Sequence, residues 1–326
     1  MLKVSNCRSD MRVQVIIKKL CRTLVTALLV ALLCFSVMFY SPGNPAEKLL
    51  RYKDPTGGLN PKTVEMYAEK LGTNGNFFEQ FGAWLAGILK GDFGTSFKTG
   101  LPVLHEFTTR AGCTISLMLL STLLALVVGL SLGILSTRYH NTILDKVIRF
   151  FAVFNMSVPS FWLALLFLWI FSIRLHLLPS FGFNGFSSLI LPVAVLGLSY
   201  SSTIIKITKS CLMDNLSSVY VVTARAKGLS ESSIMIRHVL INIALPIITL
   251  CGTNMASLLG GSVIIENIYG LPGLGNYLVM AIMVKDFPVI LGFVFIFALF
   301  IMLINLLVDL TYTLIDPRVR MAMNEK

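Results

Sequence analysis

Charge is scarce in this sequence. Asp, Glu, Lys and Arg make up 13% of 326 residues, while 55% are apolar, a balance outside that of soluble globular domains. No charged side chain falls in the middle of a long apolar run; Glu266 and Asp309 sit only at the ends of theirs. Proton-coupled pumps and voltage sensors need buried ionisable groups, so neither class fits and the driving energy is expected from a partner. The six cysteines (Cys7, Cys21, Cys34, Cys113, Cys211, Cys251) show no CxxC spacing, which argues against a disulfide framework and a zinc site. A GxxxxGK[ST] phosphate cradle is missing, so the chain is not expected to hydrolyse ATP itself. Runs such as "LMLLSTLLALVVGLSLGIL" also lack the every-second-residue polarity of a membrane barrel.

What the sequence has in quantity is apolar runs long enough to cross about 30 Å of hydrocarbon, which takes about 20 helical residues. Six qualify: Thr23 to Tyr40, Gly112 to Thr137, Phe150 to Ile173, Leu189 to Ile205, Ala244 to Ile265 and Pro288 to Leu310. The expected fold is an all-α integral membrane protein of six transmembrane helices, with a small extracytoplasmic domain between helices 1 and 2. The first run has the basic flank of a signal peptide, but its length and the topology of the other five mark it as an anchor.

Lys and Arg resist translocation, so their distribution orients the chain. They crowd residues 1–22, the segment Arg138 to Arg149, the segment Lys206 to Arg237, and the tail with Arg318, Arg320 and Lys326. The opposite side has Arg174 and Lys285 in its short loops and a nearly balanced long loop. Both termini are expected in the cytoplasm. The net charge of +11 is then mostly this bias and no nucleic-acid footprint. The expected divisions are 1–40 (N-terminus and helix 1), 41–111 (outer cap), 112–310 (helices 2–6, with a cytoplasmic loop at 206–243) and 311–326 (tail).

The outer cap contains a helix-like piece, "KTVEMYAEKLG", and closes on "GDFGTSFKTGLPVLHEF", where Gly91, Gly94 and Gly100 permit tight turns. Gly129 and Gly133 form a GxxxG, and Gly252, Ala256 and Gly260 repeat small residues every four positions. Such faces let helices approach closely in lipid, whether within the chain or at a subunit seam. In "ENIYGLPGLG", Glu266, Gly270, Pro272, Gly273 and Gly275 are expected to form a rigid outer turn joining helices 5 and 6.

The segment "YVVTARAKGLSESSIMIRHVLINIALP", Tyr220 to Pro246, is basic and rich in small residues. Ser217 is a candidate N-cap, Gly228 a left-handed stop, and Ser230 a second cap, which together predict a short helical hairpin. Small residues at Ala224, Ala226 and Gly228 suit close approach by another protein, with Thr223, Arg225 and Lys227 beside them. A lipid-bound basic helix is the alternative.

From Thr223 to the Leu245–Pro246 end, this segment resembles the coupling loop of ATP-binding-cassette importer permeases. The Glu-Ala-Ala positions of that pattern hold Val222, Thr223 and Ala224 here, so its Glu is missing. "TARAKG", "GDFGTSFKTGLPV", "IIENIYGLPGLGNYLVMAIMVKDFPVILG" and "NLLVDLTYTLIDPRVR" are similar to the dipeptide, oligopeptide and nickel branch, where Lys206 and Lys209 replace an expected Arg. The resemblance implies a permease forming half of a translocation pathway. It also implies a homologous second permease, two cytoplasmic ATPases that bind ATP and Mg, an extracytoplasmic solute-binding protein, and coupling through residues 220–246.

An ATP-independent channel or secondary carrier is the alternative, and it lacks charged pore-lining rings. An intramembrane enzyme lacks paired carboxylates or a Ser and His placed to meet. The chain is therefore expected to be a transport subunit with no catalytic residue and no cofactor of its own. His105 beside Glu106, and His176, are weak metal candidates without ligand spacing. The short loop "RLHLLPSFGFNGFSSLILP" resembles nickel and oligopeptide members, leaning the expected cargo towards a metal or metallophore over a dipeptide.

Overall fold

The structure, a computed structural model, describes residues 2–40, 46–47, 49–50, 60–70 and 75–315. The turn signals "SPGNP" and "DPTGGLNP" fall largely outside these, as do the basic tail residues and the Leu71 to Asn74 stretch. Helices dominate: α1 (Leu2–Phe39), α2 (Pro61–Lys70), α3 (Phe77–Leu89), α4 (Val103–Arg138), α5 (Ile143–Ser157) and α6 (Ser160–Phe167, continued by a π-helical turn Leu168–Arg174). They continue with α7 (Ser187–Leu216), α8 (Val219–Ala226), α9 (Glu231–Ile234), a π turn Met235–Val239, α10 (Leu240–Tyr269), α11 (Leu274–Val284) and α12 (Phe287–Ile315). Extended pairing among the described residues is limited to one isolated bridge, Thr95 with Pro102.

Among the described residues, five helices are long and apolar enough to cross a membrane: Cys21–Phe39, Val103–Arg138, Ser187–Leu216, Glu231–Tyr269 and Phe287–Val308. The expected third span, Phe150 to Ile173, is corrected. It is a bent pair, Ile143–Ser157 and Ser160–Arg174, folded by 104°. Pro159 explains the break, because a residue before proline is pushed out of the helical region, and Val158 is extended at φ −86°, ψ 124°. The fourth span is longer than expected and runs through Pro192.

The chain divides into two compact units. In the first, Met1–Arg110 with Tyr277–Leu303, the expected outer-cap helix appears as α2 and a second one, α3, was not foreseen. The α3 helix starts with a capping box: Asn76 Oδ1 accepts from Glu79 N–H (3.0 Å) and Glu79 Oε2 from Asn76 N–H (3.0 Å). Its Phe77, Phe81 and Trp84 pack on Phe35 of α1, and Trp84 also meets Phe295. Gly91, Gly94 and Gly100 all have positive φ, as the turn reading required. Buried Asp286 fixes this glycine-rich segment by accepting from Ser96 Oγ (2.5 Å), Phe97 N–H (3.0 Å) and Lys98 N–H (3.2 Å).

In the second unit, Ala111–Asn276 with Ile304–Lys326, the GxxxG face of α4 lies directly on α7. A Cβ on Gly129 would come within 2.5 Å of Ile204, and one on Gly133 within 2.7 Å of Thr208. That motif is therefore intrachain packing. Gly252 faces Val308 in the same way, whereas Gly260 has open space around it.

Candidate functional site

The basic hairpin grows out of the membrane helices with little independent loop. The α7 helix ends at Leu216, and α8 begins after Ser218, one residue later than the expected cap. Gly228 stops α8 at φ +78°, its N–H bonding to the Arg225 carbonyl (2.9 Å) and Leu229 N–H to that of Ala224 (3.3 Å). Ser230 Oγ accepts from Ser233 N–H (3.4 Å) and starts the second arm. That arm runs without a loop into α10, so Leu245 and Pro246 lie inside a membrane helix and do not terminate the hairpin.

The two arms are joined by an exposed bidentate ion pair, Arg225 Nε with Glu231 Oε1 (2.6 Å) and Arg225 Nη2 with Glu231 Oε2 (3.1 Å). Hydrogen bonding to Glu231 pushes the Arg225 guanidinium pKa up, so it stays charged.

Leu212, Val221, Ala224, Ile234, Val239 and Ile243 form the hairpin's own core, with Ile134 of α4 packed against it. Ala224 therefore faces inward and does not offer its small side chain to a partner, correcting that part of the sequence argument. Helical periodicity gives the reason: Val221 and Ala224, three apart, point at Leu212, while Val219, Val222, Thr223 and Ala226, at i, i+3, i+4 and i+7, share the opposite face. All four are exposed, Val219 at 82%. Lys227 and Gly228 extend this surface at the turn.

The glycine-rich turn is built around a buried carboxylate. Gly270 ends α10 in the left-handed region (φ +63°), and Gly182 N–H bonds to the Tyr269 carbonyl (2.8 Å). Glu266 Oε1 accepts from Thr114 Oγ1 (2.7 Å) and Oε2 from Asn276 N–H (3.0 Å), while Thr114 Oγ1 accepts from Leu274 N–H (2.8 Å). Together Glu266 and Thr114 satisfy the free N–H groups at the start of α11. A Cβ on Gly273 would stand 2.3 Å from Glu266 Oε2, and a Cβ on Gly275 2.6 Å from Val263 Cα. Pro272 is exposed. The turn does not join spans five and six directly, as expected from sequence: the apolar helix α11 intervenes.

Sequence reasoning missed Thr114, 152 positions from Glu266. It also passed over Asp145, a fully buried carboxylate in the first turn of α5, whose only local signal is an acid amid Arg138, Lys146 and Arg149. Among the described residues no three His, Cys, Asp or Glu side chains gather as a metal site. His105 and His176 are exposed, and a His176 ring nitrogen is engaged with the Ser172 carbonyl (3.0 Å).

The profile described as "binding-protein-dependent transport system inner membrane component" matches residues 113–321, covering the hairpin and the glycine turn. The chain belongs to this family. It is a permease subunit of an ATP-binding-cassette importer, a multi-pass protein of the inner membrane. A putative peptide transport system permease protein of Brucella melitensis is 36% identical over 318 residues, 95% of this chain and 99% of the relative. The glutathione transport system permease protein of Salmonella choleraesuis is 35% identical over 305 residues, 94% and 98% of the two chains. These relatives are permeases, and ATP hydrolysis belongs to partner subunits. An inward-facing structure of the MetNI methionine ABC transporter shares the fold at a TM-score of 0.53 and 14% identity, covering 65% of this permease and 97% of that chain.

Proposed function

We propose that this permease forms half of the pathway for a peptide-type solute, paired with a homologous permease and driven by two ATPases that dock on the hairpin and hold ATP and Mg. A solute-binding protein delivers cargo from outside. The observation that carries this reading is the exposed stripe Val219, Val222, Thr223 and Ala226 on a hairpin whose core is shared with α4, α7 and the helix leading into α10. An ATPase gripping that face pulls on three membrane helices at once. Nucleotide state then shifts the bundle between two packings, provided ATP binding favours one of them.

Peptide cargo is supported by the relatives' names, a peptide permease and a glutathione permease. The sequence lean towards nickel or a metallophore rested on the short loop "RLHLLPSFGFNGFSSLILP", with His105 and His176, both exposed, as weak metal candidates.

The test is ATPase co-purification beside uptake of labelled peptide. Val219→Asp with Val222→Asp should release the ATPases and stop uptake, because a charge buried at an interface without a partner is costly. Arg225→Gln with Lys227→Gln should retain most of both. The reverse ranking would favour lipid anchoring, and nickel uptake in place of peptide would overturn the cargo. Ala224→Trp is uninformative here, since it breaks the hairpin's own core.

The Lys and Arg asymmetry supports cytoplasmic termini and a cytoplasmic hairpin. Exposed Lys90, replaced by Cys in a Cys-free background, should then react with an impermeant thiol reagent on intact cells or spheroplasts. Labelling that requires lysis would invert the topology.

A further inference from the structure

Asp145 is fully buried, and groups from α4, the turn after it, α5 and α7 are aimed at it. Its Oδ1 accepts from Ser136 Oγ of α4 (2.5 Å) and from Lys209 Nζ of α7. Its Oδ2 accepts from Asn141 N–H (3.1 Å), at a left-handed turn residue (φ 63°), with Arg149 Nη2 at 3.4 Å and His140 Nδ1 at 3.7 Å. One carboxylate thereby joins the end of α4, the start of α5 and the late part of α7.

The placement connects this cluster to the hairpin. Lys209 stands three residues before Leu212, and Ser136 two residues after Ile134; Leu212 and Ile134 both pack in the hairpin core. Meanwhile, Ile148 and Ala152 of α5 already pack on Ile205 of α7, with Leu132 and Leu135 beside them. Apolar contact therefore also holds α5 against α7. A buried ion pair adds little net stability over apolar side chains of the same size, because its desolvation offsets its attraction. It does, however, require one geometry, since a slipped register leaves a buried carboxylate short of donors.

We propose that Asp145 and Lys209 are positioning residues that fix the register of α5 on α7, so that a displacement of the hairpin is passed to the bent pair α5–α6. The inference rests on the hairpin being the ATPase docking element. Without the lock, the hairpin still binds the ATPases and they still turn over, but the movement slips between α7 and α5 before it reaches the bundle. Asp145 thus acts on coupling and touches neither solute nor nucleotide.

The experiment uses the complete transporter with its solute-binding protein in proteoliposomes, measuring assembly, ATP hydrolysis and labelled peptide transported per ATP. Asp145→Asn removes the acceptor charge, and Asp145→Asn with Lys209→Gln removes both charges, so the double variant decides if the single one fails to fold. Both are expected to assemble with the ATPases and hydrolyse ATP, while peptide moved per ATP falls about tenfold, within the usual range of coupling between sites. Asp145→Glu, which keeps charge and acceptors, should recover part of the ratio. An unchanged ratio in both variants would overturn the proposal, as would a double variant that no longer assembles, which would mark the cluster as a folding element. If the wild-type chain itself captures no ATPase, it is the docking reading that fails.

Discussion

Replacing Gly275 by Val is expected to leave almost no assembled permease in the membrane. A Cβ at this position would stand 2.6 Å from Val263 Cα, 2.8 Å from its Cγ2 and 2.9 Å from Glu266 Oε2. Overpacking costs about 1–3 kcal/mol where side chains can shift, but here the nearest atom is the backbone of α10 and cannot rotate away. The neighbouring Gly273 fails by a different route. Its Cβ would push the Glu266 carboxylate aside, leaving the Thr114 hydroxyl and the Asn276 N–H unpaired at about 1–3 kcal/mol each. Gly273→Ala should therefore give inserted protein with reduced uptake, and Gly275→Val little inserted protein at all. Immunoblotting of membranes and size-exclusion chromatography of the detergent extract read the difference; wild-type yield of Gly275→Val would sink the steric argument.

The second large effect is expected at Gly129. Its Cβ would meet Ile204 Cβ and Cγ2 at 2.5 Å and the Ser201 carbonyl at 3.3 Å, so Val there must separate α4 from α7. In lipid no water is expelled to hold them together, and lost packing is lost association. Gly112, on the same helix with nothing within 4 Å, is the matched control. Gly129→Val should remove most uptake and lower thermal stability of the extracted protein, while Gly112→Val retains both. Adding Ile204→Gly, which deletes the opposing Cβ, should restore part of the loss. Equal stability of the two single variants would show that the close approach is incidental.

The apolar runs made the membrane helices legible, because span length is a property of contiguous sequence. Gly228, Gly270 and Ser230 were legible for the same reason, each acting within a few residues of its own position. The break at Pro159 was also local: Val158–Pro159 inside an apolar run is a signal that the hydropathy of "FWLALLFLWIF" overrode. Asn76 and Glu79 likewise announced α3 by capping-box spacing, hidden beside the turn-rich text before it. What could not be read was pairing across the fold. Thr114 reaches Glu266 over 152 positions and Lys209 reaches Asp145 over 64, and no local pattern encodes either contact. Ala224 belongs to this second class, since which side of a two-turn helix is covered depends on where Leu212 and Ile243 arrive.

The helix from Glu231 to Tyr269 contains 39 residues, a rod about 58 Å long at 1.5 Å per residue. The hairpin is one end of it and the Glu266 turn the other, so the two are opposite tips of a single lever arm. Tilted about its midpoint by about 10°, such a rod carries each tip through roughly 5 Å in opposite directions. Its compliance is concentrated near the hairpin, at the π turn Met235–Val239 and at Pro246, which has no N–H to give the Asn242 carbonyl. At its far end, the closed seat at Gly273 and Gly275 is what the shaft bears upon.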